Sequence, residues 1–285
     1  PVLSEGETAY DLAGKTLETD QTYSTTVGTG ASLILSNGTL IGNAIEKSNL
    51  NFLCAENGGT IQADKITLYT MGSAFYAKGQ DATVKVTNSL IDANGYCVST
   101  NANSTDNHDV IIELLRSKFI SNRSAGTAII LNVPGELRME DCTVDSQLQS
   151  VIVRGGTATL TRCTLTNVVP DDDFFLNNRL DRDWGSGNDM PTGALVIGNR
   201  GTSYQYPSNV TLVDTEINAV TDGSLTVYIY GNATEELGAA LTYQYTDSFA
   251  GEKLSSEKIT IGGGYVTVNG VQAVVSAEQL QTAVN

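Results

Sequence analysis

Residues 140–146 read "EDCTVDS", and residues 161–167 read "TRCTLTN". Each stretch places a cysteine, Cys142 or Cys163, two residues before an apolar side chain. Two cysteines at this interval fit a metal site, a disulfide or one position of a repeat. The rest of the sequence decides among these three interpretations.

The cysteine position recurs along the chain in the pattern apolar-x-apolar-x-x-marker-x-apolar, and we call it the marker position. Successive markers lie 21 to 28 residues apart, and then 52 residues apart across one long insertion. The motif "GTLIG" places Thr39 and Ile41 at the front of the series. The later markers are Ile66, Ser89, Ser117, Cys142, Cys163 and Thr215, and the apolar residues two positions after the last three are Val144, Leu165 and Ile217.

A second short apolar run precedes the markers, as in "NFLCA" and "SVIVRG". We expect Cys54 to face inward in this run, at the position of Ala77, Ile130 and Val151. A period of 20 to 30 residues without helix is typical of a stacked β-coil. One coil cannot bury its apolar face alone, so coils stack about 4.8 Å apart and build a continuous core. The sequence therefore predicts an all-β, single-stranded parallel β-helix of about 8–10 coils.

In such a stack Cys142 and Cys163 lie one above the other and face inward. The four cysteines are too few for a disulfide scaffold and too far apart for a Cys-x-x-Cys metal site. A disulfide between directly stacked neighbours would be strained, so we expect four free, buried thiols. An antiparallel sandwich would also contain short strands, but it does not explain why one position recurs in order.

Two stretches carry a resemblance to a known family. "TLETDQTYSTTVGTGASLILSNGTLIG" (16–42) is followed by coils of the type "GGTIQADKITL" (58–68). The chain resembles bacterial extracellular right-handed parallel β-helix proteins of the pectate-lyase-like superfamily, and within it adhesin-like repeat proteins. The resemblance covers roughly residues 22–270 and implies a right-handed solenoid. It also implies a bacterial protein that is extracellular or at the cell surface, and it specifies no activity, since the superfamily includes lyases, hydrolases, tailspikes and adhesins.

The composition excludes several partners. The formal charge of -16 argues against nucleic acid, because neutralising phosphates requires a basic face. It also disfavours anionic lipid surfaces, and no apolar run approaches the roughly 20 residues that span a bilayer, so we expect no membrane insertion. Glycans or a host surface are the expected partners. No pattern predicts an oligomeric state.

The chain divides into a β-helix domain, residues 1–272, and a short C-terminal segment, residues 273–285. "VSAEQLQTAV" predicts a helix with Ser276 as N-cap and Gln279 completing a capping box. Such a helix would cover the open edge of the last coil. A second interpretation is that the segment begins a following module.

The insertion at residues 168–191 holds the candidate ligand-contact residues. Three adjacent aspartates predict either solvent-exposed charge or a weak Ca²⁺ site, because hard cations take clustered carboxylates; we expect no other metal or cofactor. The aromatic residues would either stack on sugar rings or pack the loop onto the coil. The candidates are Asp171, Asp172, Asp173, Phe174, Phe175, Arg179, Arg182 and Trp184.

Three hypotheses of function follow. The first is an adhesin-like or glycan-contacting module without catalysis, with the 168–191 loop as its contact surface. The second is a polysaccharide lyase or glycoside hydrolase acting on an acidic polysaccharide, with a Ca²⁺-bound aspartate cluster and Arg179 or Arg182. Against it, the Gly-His-Gly and Arg-x-Lys motifs of polygalacturonase-like hydrolases are missing, and the one histidine, His108, lies in a polar turn; no catalytic residue is therefore predicted. The third hypothesis is a structural spacer in a longer surface protein.

Overall fold

The computed structural model describes residues 2–20, 24–43, 51–100, 108–121, 126–168, 191–198, 206–231 and 234–273. In this part of the chain the fold is nearly all β, and short 3-10 helices at Glu235–Leu237 and Ser256–Lys258 are the helical elements. No helix in it has the length and apolar character needed to cross a bilayer. The predicted C-terminal helix lies outside the described residues.

The strands form three ladders of parallel pairs. The first ladder contains, in spatial order, β1 (Val2–Leu3), β4 (Thr25–Val27), β6 (Asn51–Glu56), β8 (Ser73–Lys78), β11 (Val98–Ser99), β14 (Thr127–Leu131), β17 (Gln149–Val153), β20 (Gly193–Ile197), β23 (Leu225–Tyr230) and β25 (Ile259–Gly263).

The second ladder contains β2 (Gly6–Asp11), the first halves of β5 (Ala31–Gly42) and β7 (Thr60–Thr70), β9 (Thr83–Thr87), β12 (Val110–Leu115), β15 (Gly135–Glu140), β18 (Gly156–Thr161), β21 (Ser208–Val213), β24 (Ala239–Gln244) and β26 (Val266–Val268). The third contains β3 (Thr16–Thr19), the second halves of β5 and β7, β10 (Leu90–Ala93), β13 (Lys118–Ser121), β16 (Thr143–Ser146), β19 (Thr164–Asn167) and β22 (Glu216–Ala219). The last strand, β27 (Val271–Gln272), pairs antiparallel with β26.

The chain visits the ladders in a constant order, and each strand pairs with its counterpart in the next circuit. For example, β16 pairs with β13 before it and β19 after it. The side chains that alternate inward from all three ladders form one hydrophobic core. This parallel arrangement is compatible with a β-helix and confirms the predicted all-β, parallel-sheet class.

The marker position has a physical explanation in this structure. At Ile66, Ser89 and Cys163 the side chain of the next marker supplies an acceptor for the marker's backbone N–H. The Ile66 N–H donates to Ser89 Oγ at 3.1 Å, and the Ser89 N–H donates to Ser117 Oγ at 3.1 Å. The Cys163 N–H donates to Thr215 Oγ1 at 3.3 Å. A buried N–H without an acceptor would be costly, so hydroxyl and thiol side chains recur here.

The same side chains also donate within their own coil. Ser117 Oγ donates to the Leu115 carbonyl at 2.8 Å, and Thr215 Oγ1 donates to the Val213 carbonyl at 3.1 Å. Cys142 Sγ lies 3.3 Å from the Glu140 carbonyl in the equivalent contact. The repeat that contains the two cysteines is therefore a column of small hydrogen-bonding side chains inside the stack.

Two register assignments from the sequence are wrong by one residue. The first marker is Gly38, which pairs with Ile66, so Leu40 faces the core where Ile41 was expected. A Cβ on Gly38 would lie 2.4 Å from Leu12 Cβ, so a side chain does not fit there.

The second error concerns Cys54, which pairs with Tyr76 and not with Ala77. Ala77 pairs instead with Ala55, which is fully buried in the core. Val151 likewise pairs with Ile129 and not with Ile130. The first ladder is apolar on both faces in several strands, so its sequence does not show which residues face inward.

Candidate functional site

The ligand-contact residues expected at the 168–191 insertion lie outside the described residues. The described ends show where the insertion leaves and returns. The Val168 N–H donates to the Ser146 carbonyl at 2.9 Å, and the Pro191 carbonyl accepts from Gln149 Nε2 at 3.1 Å. The insertion therefore connects the third ladder to the first between β19 and β20.

The corner between the second and third ladders is the most regular surface feature. From β9 to β22, each connection across it consists of two residues, a left-handed residue and then the marker. In β5 and β7 the same turn occurs within a long strand. The left-handed residues, which we call the corner residues, are Asn37, Lys65, Asn88, Arg116, Asp141, Arg162 and Asp214, with φ between 46° and 58°.

Corner residues point polar side chains toward neighbouring coils. Arg116 Nε donates to Asn88 Oδ1 at 2.8 Å, and Asn88 Nδ2 donates to Asp64 Oδ1 at 2.7 Å. Arg162 Nε donates to Asp141 Oδ1 at 2.7 Å. These contacts join successive coils, so hydrogen bonds hold the charged corner side chains in a regularly spaced row.

A groove runs along this corner, and we call it the corner groove. It is open to solvent, has a volume of about 610 Å³, and is lined by Lys65, Thr67, Asn88, Arg116, Lys118 and Asp141 among others. The outward row of the third ladder forms one wall, because Thr67, Leu90, Lys118 and Thr143 stack in register. Amide, hydroxyl and charged groups, together with the apolar residues Ile66 and Leu90, thus line one shallow surface.

A smaller cavity of about 270 Å³ continues the same corner beyond Arg162. Asp214 and Glu216 line it on the coil, and Phe249 lines it from the loop that follows β24. Asp214 accepts from the Thr246 backbone N–H at 2.6 Å, which fixes this loop to the corner. The loop takes the place of a third-ladder strand here.

The carboxylates near the corner groove bond to internal partners. Hydrogen bonds from Thr87 and Asn88 hold the pKa of Asp64 below its usual value. The hydrogen bond from Arg162 does the same for the pKa of Asp141. Both acids therefore remain ionised at neutral pH, with their oxygens directed to donors of the protein itself.

A second feature lies on the outer face of the first ladder. Ile130, Ile152 and Val196 are fully buried there and form a cluster separate from the main core. In the next row Arg154, only 8% exposed, donates from Nε to Asn132 Oδ1 at 2.8 Å. Burial raises the pKa of Tyr230 beside Arg154. This network positions a buried cation beside a buried phenol.

All four cysteines are free and buried. Burial raises the pKa of Cys54 to about 11. A hydrogen bond with Cys142, together with burial, raises the pKa of Cys163. Thiolates are the nucleophilic form, so these shifts favour the neutral thiol at Cys54 and Cys163. The hydrogen bond with Cys163 instead lowers the pKa of Cys142.

Groups with metal-binding or acid–base potential are sparse in the described ranges. There, no cluster of three or more His, Cys, Asp and Glu side chains is arranged to hold a metal ion. His108 Nδ1 lies 2.8 Å from Asp109 Oδ2 at a partly exposed bridge to Gln80. The corner groove brings polar and charged side chains from successive coils to one surface.

Sequence reasoning did not find the corner residues. Their signal was present, because the residue directly before each marker is Asn, Asp, Lys or Arg at every coil from Asn37 to Asp214. Asn and Asp tolerate the left-handed conformation, which is a local indication of a tight corner. Comparisons of the chain with family models, curated proteins and solved structures found no match.

Proposed function

We propose that this chain is a glycan-contacting, adhesin-like module without catalysis, in a secreted or cell-surface bacterial protein. The observation that carries the proposal is the corner groove, a shallow, solvent-open surface to which four successive coils contribute polar and charged side chains. We further propose that the parallel strands form a single right-handed β-helix of the pectate-lyase-like kind. Constant strand order and the parallel pairing of successive circuits support this winding.

Carbohydrate recognition suits the chemistry of the groove. Sugars present many hydroxyl groups, each of which donates and accepts hydrogen bonds. The Asn88 amide and the Thr67 and Thr143 hydroxyls offer such groups on three of the four coils that line the groove. A rigid β-stack holds them at a fixed repeat of about 4.8 Å, so a chain of sugars lying along the corner meets similar groups more than once.

A steric block of the groove tests the proposal. Thr143 faces outward in the third ladder and lines the groove, so Thr143→Trp would fill it without changing the charge. The matched control is Thr242→Trp, at an exposed outward position of the second ladder. On an array of neutral and acidic glycans, we expect binding by wild type and by the control, and loss of binding by Thr143→Trp.

Two results would contradict this function. Absence of glycan binding by the wild-type protein would leave the structural-spacer hypothesis. Release of unsaturated products from polygalacturonate, followed by ultraviolet absorbance with Ca²⁺ present, would establish the lyase alternative.

A further inference from the structure

We propose that Cys142 and Cys163 form a buried two-thiolate site for a soft, thiophilic metal ion such as Cu(I) or Hg(II). The site lies inside the stack, so it is independent of glycan contact at the corner. No local motif predicts it, because the two cysteines are 21 residues apart and form no Cys-x-x-Cys pattern. Stacking of coils supplies the proximity that the sequence lacks.

The ladders on both sides of the pair hold the two cysteines in register. Before them Glu140 pairs with Thr161, and after them Thr143 pairs with Thr164. The Thr164 N–H donates to the Cys142 carbonyl at 2.9 Å. Both thiols therefore start from equivalent positions of adjacent coils, whose repeat is about 4.8 Å. An ion midway between two such positions lies about 2.4 Å from each, close to the length of a zinc–thiolate bond, about 2.3 Å.

The two sulfurs already interact with each other. A hydrogen bond between them lowers the pKa of Cys142 and raises the pKa of Cys163. The backbone of Ser117 also hydrogen-bonds to Cys142 and lowers its pKa. The two side chains thus converge, and the preceding coil stabilises the thiolate form that a metal ion requires.

An acidic cavity leads to the pair. The cavity of about 270 Å³ includes Cys163 in its lining, together with Asp214 and Glu216. Arg162 also lines it, but ion pairs with two other carboxylates neutralise its charge. Carboxylates at the mouth attract cations, in a chain whose formal charge is -16. The cavity is therefore a route by which a cation reaches one member of the pair.

The number and softness of the ligands select the class of ion. Structural Zn²⁺ takes four ligands, and in the part of the chain that the structure describes no group of three or more His, Cys, Asp and Glu side chains is arranged to hold a metal. Cu(I) and Hg(II) form stable complexes with two thiolates alone, and soft sulfur ligands favour such ions. One ion that binds Cys142 and Cys163 as thiolates replaces both thiol protons, so two protons are released.

The other two cysteines provide a matched control, because neither is stacked on another cysteine. Cys54 pairs with Thr26 in one neighbouring coil and with Tyr76 in the other. The Cys97 backbone N–H donates to the Ala128 carbonyl at 2.8 Å. Each is therefore a single buried thiol, and a two-thiolate site requires a pair.

Serine substitutions test the site and keep the marker column, because Ser117 already occupies an equivalent position. The test variants are Cys142→Ser and Cys163→Ser. The control is the double variant Cys54→Ser/Cys97→Ser, which retains the stacked pair. Each reduced protein is titrated with Hg(II) and, without oxygen, with Cu(I), and Zn(II) is titrated as a negative control. Bound ion is followed by the ultraviolet thiolate-to-metal absorption and counted after gel filtration.

We expect wild type and control to bind one Hg(II) or Cu(I) ion per chain and no Zn(II). Each single serine variant should bind at least about 100-fold more weakly, because loss of even an outer-shell partner costs about 10–100-fold. Addition of Ser117→Cys to Cys163→Ser places a stacked thiol one coil before Cys142 and should restore binding. The bound ion should also raise the melting temperature of wild type, since a ligand of the folded state stabilises it.

Equal affinity in wild type and either serine variant would overturn the inference. Loss of binding in the Cys54→Ser/Cys97→Ser control, or a lower melting temperature with the ion, would overturn it as well. Cooperative thermal unfolding verifies that each variant is folded, and Cys142→Thr, which follows Thr215 in the column, replaces Cys142→Ser if that variant does not fold. Glycan binding is measured separately on the array, so failure of this site and failure of the glycan-contacting function are distinguishable.

Discussion

The corner between the second and third ladders has a constant length, whereas the other connections of the molecule vary in length. From β9 to β22 the corner always takes two residues, as at Asp141–Cys142 and Arg162–Cys163. The connections into and out of the first ladder range from residues 147–148 to residues 168–192. We infer from this comparison that the short turn at the corner sets the register of the stack. Length variation accumulates where the chain does not define the register.

The largest expected effect comes from an insertion at the constant corner. One glycine inserted between Arg162 and Cys163 would turn the following residues to the opposite face, since the side-chain period of a strand is two. Leu165 would leave the core, and the cost should be at least about 4 kcal/mol. Urea denaturation should show an unfolded or strongly destabilised protein.

The same glycine inserted between Asp222 and Gly223 is the control for this experiment. Both residues are exposed in the variable connection before β23, and lengthening such a loop costs less than about 1 kcal/mol. Similar losses of stability at the two sites would show that the corner does not set the register.

A smaller effect is expected from removing one member of the marker column. Thr215→Val keeps the volume but deprives the buried Cys163 N–H of its 3.3 Å acceptor. An unsatisfied buried donor costs about 1–3 kcal/mol, measurable as a lower urea midpoint. Thr215→Ser retains the hydroxyl and should recover most of this loss; equal destabilisation by Ser and Val would exclude the hydrogen bond as the cause.

The corner conformation itself can be tested at Lys65. In the described part of the chain Lys65 forms no ion pair, so its substitution removes none. Lys65 has φ of 52°, a conformation that is unfavourable for a β-branched residue. Lys65→Val should destabilise by about 1–2 kcal/mol, whereas Lys65→Gly should match or exceed wild type. Calorimetric melting would detect the difference, and equal melting temperatures would argue against a strained corner.

The smallest effect concerns pH. Hydrogen bonds from Thr87 and Asn88 lower the pKa of Asp64 in the folded state, so the ionised form stabilises the fold. This contribution is present above the unfolded pKa of about 3.9 and is lost as pH falls through the lower folded value. Asp64→Asn should therefore make stability less dependent on pH below about pH 4. If the stability of Asp64→Asn depended on pH below about pH 4 as strongly as that of wild type, the assignment would be contradicted.

The repeat was predictable because stacking repeats the same physical requirement in every coil. Ser89, Ser117 and Cys163 meet one hydrogen-bonding need, so their similarity is visible in the sequence. Gly38 was not predictable as a marker, since it lacks a side chain and its neighbours Thr39 and Ile41 alternate equally well. Close approach of Leu12 decides that position.

Cys54 illustrates the same ambiguity in the first ladder. Phe52, Leu53, Cys54 and Ala55 are all buried, and a strand that is apolar on both faces carries no alternation to read. The corner groove was also beyond sequence reasoning. Lys65 and Arg116 are 51 positions apart along the chain, and only the stacking of coils brings them to one surface.

The sequence by itself determined the strand class, the circuit length and the recurring small polar position, because each depends on local alternation and on a hydrogen bond repeated in every coil. The tertiary structure alone decided which face of each strand is inner and which side chains line the corner groove. Those properties depend on contacts between residues that are distant in the chain, and local periodicity contains no information about them.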